Sequence, residues 1–409
     1  MGRVKMAREQ LSALLGLGVF VGVAYLTSVN RRAIRWESVL WGFALQIIFA
    51  LLILRTVVGF LVFEWLGGQV SAFLEFSDAG AAFVFGESFQ DFFFAFKVLP
   101  TIIFFSAFIS LLYHYGILQR AVGAIAWIMR RTMKTSGSET LSAAGNIFVG
   151  QTEAPLLIKP YVATMTMSEL HAVMTGGFAT VAGGVLAAYV SFGIPAEHLI
   201  AASVMSAPAA LAISKIMFPE TEASPTQGTV SVKVERTSAN GVDAIASGAL
   251  EGLRLALNVG AIIIAFLAVL AAFNAFIGFV GGLFDNPGLS LESILAVLLA
   301  PVAWLMGVPW ADCDAVGTLL GEKTILNEFI AYLDLQAMIE SGTISERAAV
   351  IATYALCGFA NIGSIGIQIG GIGGIAPNRQ ADLARIGFRA MVAGTLACFT
   401  TACIAGMLL

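Results

Sequence analysis

The chain has 409 residues, 58% of them hydrophobic and only 12% charged, with a mean hydropathy of +0.88. Soluble domains carry about 25% charged residues, so the composition is that of an integral membrane protein. A net charge of -4, with no basic cluster interleaved with aromatics, excludes a nucleic-acid surface.

Apolar runs long enough to cross a bilayer predict eight spans, at 11–29, 38–60, 97–118, 169–193, 197–217, 255–280, 347–370 and 386–408. Arg3, Lys5 and Arg8 precede the first run, but its length and the lack of a small-x-small cleavage site after it argue for a transmembrane helix over a signal peptide. Residues 67–95, rich in glycine and phenylalanine with Glu75, Asp78, Glu87 and Asp91 spread through them, read as an interfacial amphipathic segment. Residues 219–247 are the long polar stretch, a loop that divides the protein into halves.

The halves share an order of short matches. The first has AWIM at 126–129, Glu153 and GFAT at 177–180; the second has AWLM at 303–306, Glu328 and GFAN at 358–361. Trp127 and Glu153 are 26 residues apart, Trp304 and Glu328 are 24, so the pattern reads as an internal repeat. Arginines after the first and third spans (Arg31, Arg32, Arg35; Arg120, Arg130, Arg131, with Lys134) place those loops in the cytoplasm against the weaker N-terminal cluster. The N-terminus is then outside and the two halves are inverted, provided 290–310 lies along the interface like 117–131.

Two polar breaks interrupt this apolar background. GNIFVGQTEAPLLIKP at 145–160 carries Gln151, Thr152 and Glu153, and GEKTILNEF at 321–329 carries Asn327 and Glu328. Ionisable residues at membrane depth mark transport paths, and irregular backbone is tolerated there only inside protein or beside a watery cavity, so both read as re-entrant hairpins. Gly150 frees the first turn and Pro155 suits the start of the returning helix. A plainer reading pairs Glu153 with Lys159 or Lys323, and Glu328 with Lys323. Glycine-dense GGFATVAGGV at 176–185 and GFANIGSIGIQIGGIGG at 358–374 predict breaks in spans four and seven, where Thr180, Asn361 and Ser364 could join freed carbonyls in holding a cation.

No catalytic signature emerges. Asp312 and Asp314 form DxD without a partner motif, leaving an intramembrane enzyme with Glu328 and Asp314 as acid and base a remote alternative. His114, His171 and His198 read as interface-facing histidines, and Cys313, Cys357, Cys398 and Cys403 as buried thiols.

GNIFVGQTEAPLLIKPY, GEKTILNEFIAY and GFANIGSIGIQIGG, in this order, closely resemble the concentrative nucleoside transporters, in particular their shorter bacterial members. The resemblance covers nearly the whole chain. It implies an all-α polytopic fold with eight transmembrane helices, two re-entrant hairpins and an inverted repeat, a homotrimer among membrane lipids in the bacterial inner membrane, and no enzyme. Helices in 1–66, 96–118 and 248–283 would form the scaffold, with 67–95 interfacial and 219–247 a loop. Residues 119–218 and 284–409 would be the two repeats of a mobile transport domain. By the same resemblance Gln151, Thr152 and Glu153 hold the nucleobase with Val185 and Leu255 as apolar neighbours, while Glu328, Asn361 and Ser364 hold the ribose with Phe359 lining the pocket. Asn146, Val149, Thr180 and Val181 match the sodium site, the valines through carbonyls. Sodium-driven nucleoside uptake is the expected function, with proton symport through a glutamate as the alternative.

Overall fold

A computed structural model describes residues 2–227, 238–284 and 288–409. Among them every regular element is helical. Helices α1 (Gly2–Leu26), α2 (Trp36–Leu54), α3 (Val57–Leu74) and α4 (Ser77–Phe85) lead through a π-helical turn at Phe94–Val98 into α5 (Leu99–His114). The expected second span, 38–60, is therefore two helices. Arg55 closes α2, and the Thr56 Oγ1 accepts from Gly59 N at 2.9 Å to start α3. A single N-cap inside an apolar run leaves hydropathy unchanged, which hides the break from the sequence. The stretch Val57–Phe85 is itself long and apolar enough to cross a membrane, so hydropathy does not set the segment expected at the interface apart from the spans.

The rest of the chain runs through one series of elements twice. Amphipathic α6 (Ile117–Met133) precedes the first hairpin, which is α7 (Gly137–Gly145), an irregular tip, a 3-10 turn at Ala154–Ile158 and α8 (Lys159–Val162). A broken helix follows, α9 (Met167–Ala179) and α10 (Gly183–Ser191), then unbroken α11 (Ala196–Met217). After α12 (Gly241–Gly282), the second series has α13 (Leu291–Leu305), a hairpin of α14 (Cys313–Ile325) and α15 (Glu328–Glu340), a broken helix of α16 (Glu346–Leu356) and α17 (Ile362–Ile375), and unbroken α18 (Gln380–Leu408). The internal repeat is thus present element by element, down to the helix before each series: α5 and α12 pack along each other.

Two boundaries differ from expectation. Asn240 caps α12 by accepting from Asp243 N at 2.9 Å, so the 42-residue helix starts inside the stretch read as a polar loop to 247; residues 228–237 of that stretch lie outside the described residues. The predicted span 347–370 is no continuous helix, because it is broken at Cys357–Asn361. Among the described residues eight helical stretches are long and apolar enough to cross, the expected number, with Val57–Phe85 taking the place of 347–370.

Local caps explain why the breaks fall where they do. Ser136 with Glu139 and Thr166 with Glu169 form capping boxes that start α7 and α9, while Asn327, Ser345 and Asn361 accept from the third residue of α15, α16 and α17. Burial then separates two groups of helices. In the most apolar stretches of α9–α10 and of α11, 89% of residues are buried, against 12% in α12 and 17% in α5. The buried core is made by α7, α9, α10, α11, α16 and α18, while α17 is largely at the surface, α5 is mostly half-buried and α12 presents an apolar face outward.

Candidate functional site

The irregular segments of all four interrupted elements meet. Gln151, at the tip of the first hairpin, donates from Nε2 to Ser364 Oγ at 3.3 Å and accepts at Oε1 from Gln368 Nε2 at 3.0 Å. Phe359 N in the break of the second broken helix donates to Thr180 O in the break of the first, at 3.3 Å. Glu328, the first residue of α15, accepts from Tyr189 Oη of α10 and from Asn361 Nδ2, both at 3.0 Å. Each half of the repeat thus supplies groups to the other.

Glycines make these approaches possible. A Cβ on Gly177 would lie 2.9 Å from both Gln151 Cβ and Gln368 Nε2, and one on Gly150 would lie 3.0 Å from Ala182 Cβ. Gly150 therefore serves close packing and not the positive-φ turn that a glycine at a tip suggests. Gly358 does need its freedom: φ is +147°, and a Cβ there would meet Cys398 Sγ at 2.8 Å and Phe178 O closer still. Pro155 sits in the first turn of the returning arm, as expected.

Of the residues singled out from sequence, Gln151, Val185, Glu328, Phe359, Asn361 and Ser364 are buried, Thr152 and Leu255 are half-buried and Glu153 is exposed. Val185 lies next to Gly184, whose Cβ position is 3.6 Å from Leu255 Cδ2. Asn146, Val149, Thr180 and Val181 are all buried. Asn146 caps the C-terminus of α7 and Thr180 that of α9, and the two ends are adjacent, since Gly176 of α9 faces Asn146 Nδ2. Asn146 Nδ2 donates to Ser142 O at 3.1 Å, while among the described residues its buried Oδ1 has no donor and the buried Ser142 Oγ has no partner. Among the described residues no hydrogen bond reaches the carbonyls of Val149 or Val181.

The lysine pairings do not form. Lys323 is 1% exposed and donates to Ala355 O at 2.8 Å, satisfying a carbonyl freed where α16 ends. Among the described residues neither Glu153 nor Glu328 makes an ion pair. The acid–base pair of the enzyme reading fails as well: Asp314 is exposed near the start of α14, about 16 Å along the helix from its last residue Ile325 at 1.5 Å per residue, and Glu328 is buried beyond that far end. The four cysteines are buried and free, as expected. His171 is not at an interface; it is fully buried, with Nδ1 2.7 Å from Ser214 Oγ of α11.

Sequence reading missed Tyr189 and Gln368. Both were within reach of it, because Tyr189 is four residues beyond Val185 and Gln368 four beyond Ser364, the spacing that shares a helix face.

Residues 198–406 match the family described as "Na+ dependent nucleoside transporter C-terminus", residues 15–88 the corresponding N-terminus, and residues 95–196 a family described as "Gate: Nucleoside recognition". The chain is 50% identical to solute carrier family 28 member 3 of Eptatretus stoutii over 99% of its own length and 61% of the relative's, so it spans about three fifths of that protein. It is 41% identical to CNTnw in an inward-facing substrate-bound state, with a TM-score of 0.92 covering 97% of both chains. A doubly substituted CNTnw in an outward-facing state gives a TM-score of 0.93 at 41% identity, over 98% of this chain and 97% of that one. With two hairpins, two broken helices and a repeated series on one side, and matches of this extent on the other, the chain belongs to the Na+-dependent nucleoside transporters.

Proposed function

We propose that this chain takes up nucleosides by sodium symport, carrying its site between the two membrane faces in an elevator-like movement. The observation that carries the reading is the contact between the first hairpin and the second broken helix, Gln151 to Ser364, with Glu328 bonded to Asn361 beside it. A base edge needs an amide and carboxylate, and Gln151, Thr152 and Glu153 supply them, with Val185 and Leu255 as apolar walls. A ribose diol suits a carboxylate that accepts two hydrogen bonds, and Glu328, with Asn361, Ser364 and Phe359, is the matching set. A nucleoside between them would exchange the bond joining Gln151 and Ser364 for bonds to itself.

Sodium is assigned to Asn146, Val149, Thr180 and Val181. The C-terminal ends of α7 and α9 turn their partial negative charge toward this place, and the orphaned Asn146 Oδ1 with the free valine carbonyls adds oxygen donors. Sodium bound there would order the first hairpin tip beside Gln151, which couples ion and nucleoside affinity reciprocally. Helices in 1–66, 96–118 and 248–283 are assigned to a scaffold in a homotrimer, and 119–218 with 284–409 to the moving part, in a bacterial inner membrane. Their exposed apolar faces suit lipid and neighbouring copies.

A second reading, proton symport, is favoured by Glu153, which makes no ion pair among the described residues. Uptake of labelled uridine into proteoliposomes separates the two. An inward sodium gradient should drive accumulation and choline should not. Uptake driven by a pH gradient without sodium would move the coupling to a glutamate, and no uptake in either condition would overturn the nucleoside assignment.

A further inference from the structure

The C-terminal end of α6 borders a cavity that the proposed transport site does not use. It has a volume of about 330 Å³ and is lined by Trp127, Arg130, Arg131, Lys134, Thr135 and Gln227; among the described residues no acid lines it. A smaller hollow shares Lys134, Thr135 and Gln227 and adds Arg35, Lys215, Glu139 and Glu220. Its acids are already engaged: Glu139 pairs with Lys215 Nζ at 2.6 Å and accepts from Ser136 N at 2.8 Å, and Glu220 accepts from Thr166 Oγ1 at 2.6 Å. Lys134 pairs with Glu37 at 2.5 Å, but among the described residues Arg35, Arg130 and Arg131 make no ion pair. The guanidinium groups of Arg130 and Arg131 thus line the cavity without a counter-charge.

The amphipathic pattern of α6 builds this wall. Leu118, Val122, Ala126, Met129 and Met133 take its buried face, which leaves Trp127, Arg131 and Lys134, three or four residues apart, together on the exposed one. The Arg131 guanidinium carbon lies 5.9 Å from the Trp127 ring centroid, within cation–π range. Lys134, the one non-glycine residue with positive φ among the described residues (+53°), ends the helix and turns the chain into the first hairpin. The Thr135 hydroxyl is then held 2.7 Å from Thr140 Oγ1 of α7, which fixes the far wall to the hairpin.

We propose that this cavity seats the phosphate headgroup of an anionic phospholipid. Guanidinium groups match phosphate oxygens in pairs, and a basic pocket beside membrane helices is the usual setting for an acidic headgroup. The same end of the helix argues for a lipid over free phosphate. Trp127 is 56% exposed and Ile128 40% exposed beside the arginines, so apolar surface continues from the charged wall where acyl chains would lie, and an indole suits headgroup depth. A headgroup held there would tie the start of the first hairpin to the bilayer, at a place separate from the proposed nucleoside and sodium positions.

The test is thermal unfolding in detergent with added phosphatidylglycerol, phosphatidylcholine or inorganic phosphate, for wild type, an Arg130→Gln, Arg131→Gln double variant and Arg120→Gln. Arg120 is an exposed basic residue of the same helix outside the cavity. Phosphatidylglycerol should raise the wild-type Tm by several degrees more than phosphatidylcholine, and inorganic phosphate should not reproduce the rise. Arg120→Gln should keep the gain and the double variant should lose most of it. Equal effects of the two lipids, or a gain unchanged in the double variant, would overturn the proposal. So would an equal rise with inorganic phosphate, which would make the ligand a free anion, or equal losses in Arg120→Gln, which would make the effect one of general charge. Should the double variant fail to fold, mass spectrometry of wild type released from an equimolar mixture of the two lipids decides: retained phosphatidylglycerol is expected, and no preference would refute the site. Neither readout depends on which solute is carried.

Discussion

Glu328 is held at the start of α15 by three influences at once: the positive end of that helix, the Tyr189 hydroxyl and the Asn361 amide. All three favour a carboxylate over its neutral isostere. Charge-assisted hydrogen bonds contribute about 1.5–3 kcal/mol each, so Glu328→Gln should lower uridine uptake at least about tenfold. Normal uptake by that variant would sink the ribose assignment. Tyr189→Phe removes one neutral donor and keeps the ring that packs on Tyr332 and Phe329, so the half-saturating uridine concentration should rise by up to about tenfold with sodium dependence unchanged. At this scale the sequence was informative wherever a polar residue interrupted apolar surroundings, as at Gln151, Asn327 and Thr180. It was less so for side chains that reach the site from regular helix, such as Tyr189 and Gln368, which no polar break marks and which only their four-residue spacing from Val185 and Ser364 could have pointed to.

The breaks themselves are properties of elements. Hydropathy read 347–370 as one span, and glycine density alone hinted at interruption. The physical cause is Gly358, whose φ of +147° and crowding by Phe178 O and Cys398 Sγ leave no room for a side chain. Gly358→Ala should cost about 1–3 kcal/mol or more, read as a lower Tm and reduced yield of folded protein, whereas Gly366→Ala, with open space around its Cβ on α17, should be neutral or slightly stabilising. Equal effects of the two would mean that the break is not held by this residue. The converging ends of α7 and α9 give a second prediction. Thr180 Oγ1 already donates to Gly176 O at 2.9 Å, which leaves its lone pairs for an ion; Thr180→Val removes that oxygen at nearly constant shape. The half-saturating sodium concentration should rise about tenfold or more while uptake at saturating sodium is largely kept, and an unchanged sodium requirement would remove Thr180 from the ion site.

For the whole molecule, the repeat was legible in the sequence because each half carries its polar break in the same order. The size of the structural unit was not. AWIM and AWLM fall in α6 and α13, but the repeated series begins one helix earlier, with α5 and α12, whose lipid-like composition records no pattern. If the proposed division is right, those two helices stay fixed while α10, next to α5, moves with the hairpins. Gly184 of α10 faces Ser106 of α5, its Cβ position 3.2 Å from Ser106 Oγ. Cysteines at both positions would sit close to the Cβ separation of about 3.5–4.5 Å that a disulfide requires, and the four native thiols are buried. Oxidation of the Ser106→Cys, Gly184→Cys double variant should stop uptake and a reductant should restore it, while each single variant is indifferent to oxidant. If the cross-linked protein still transported, α10 and α5 would have to travel together. The moving body could then not be the part of the chain that holds the hairpins and broken helices apart from α5 and α12.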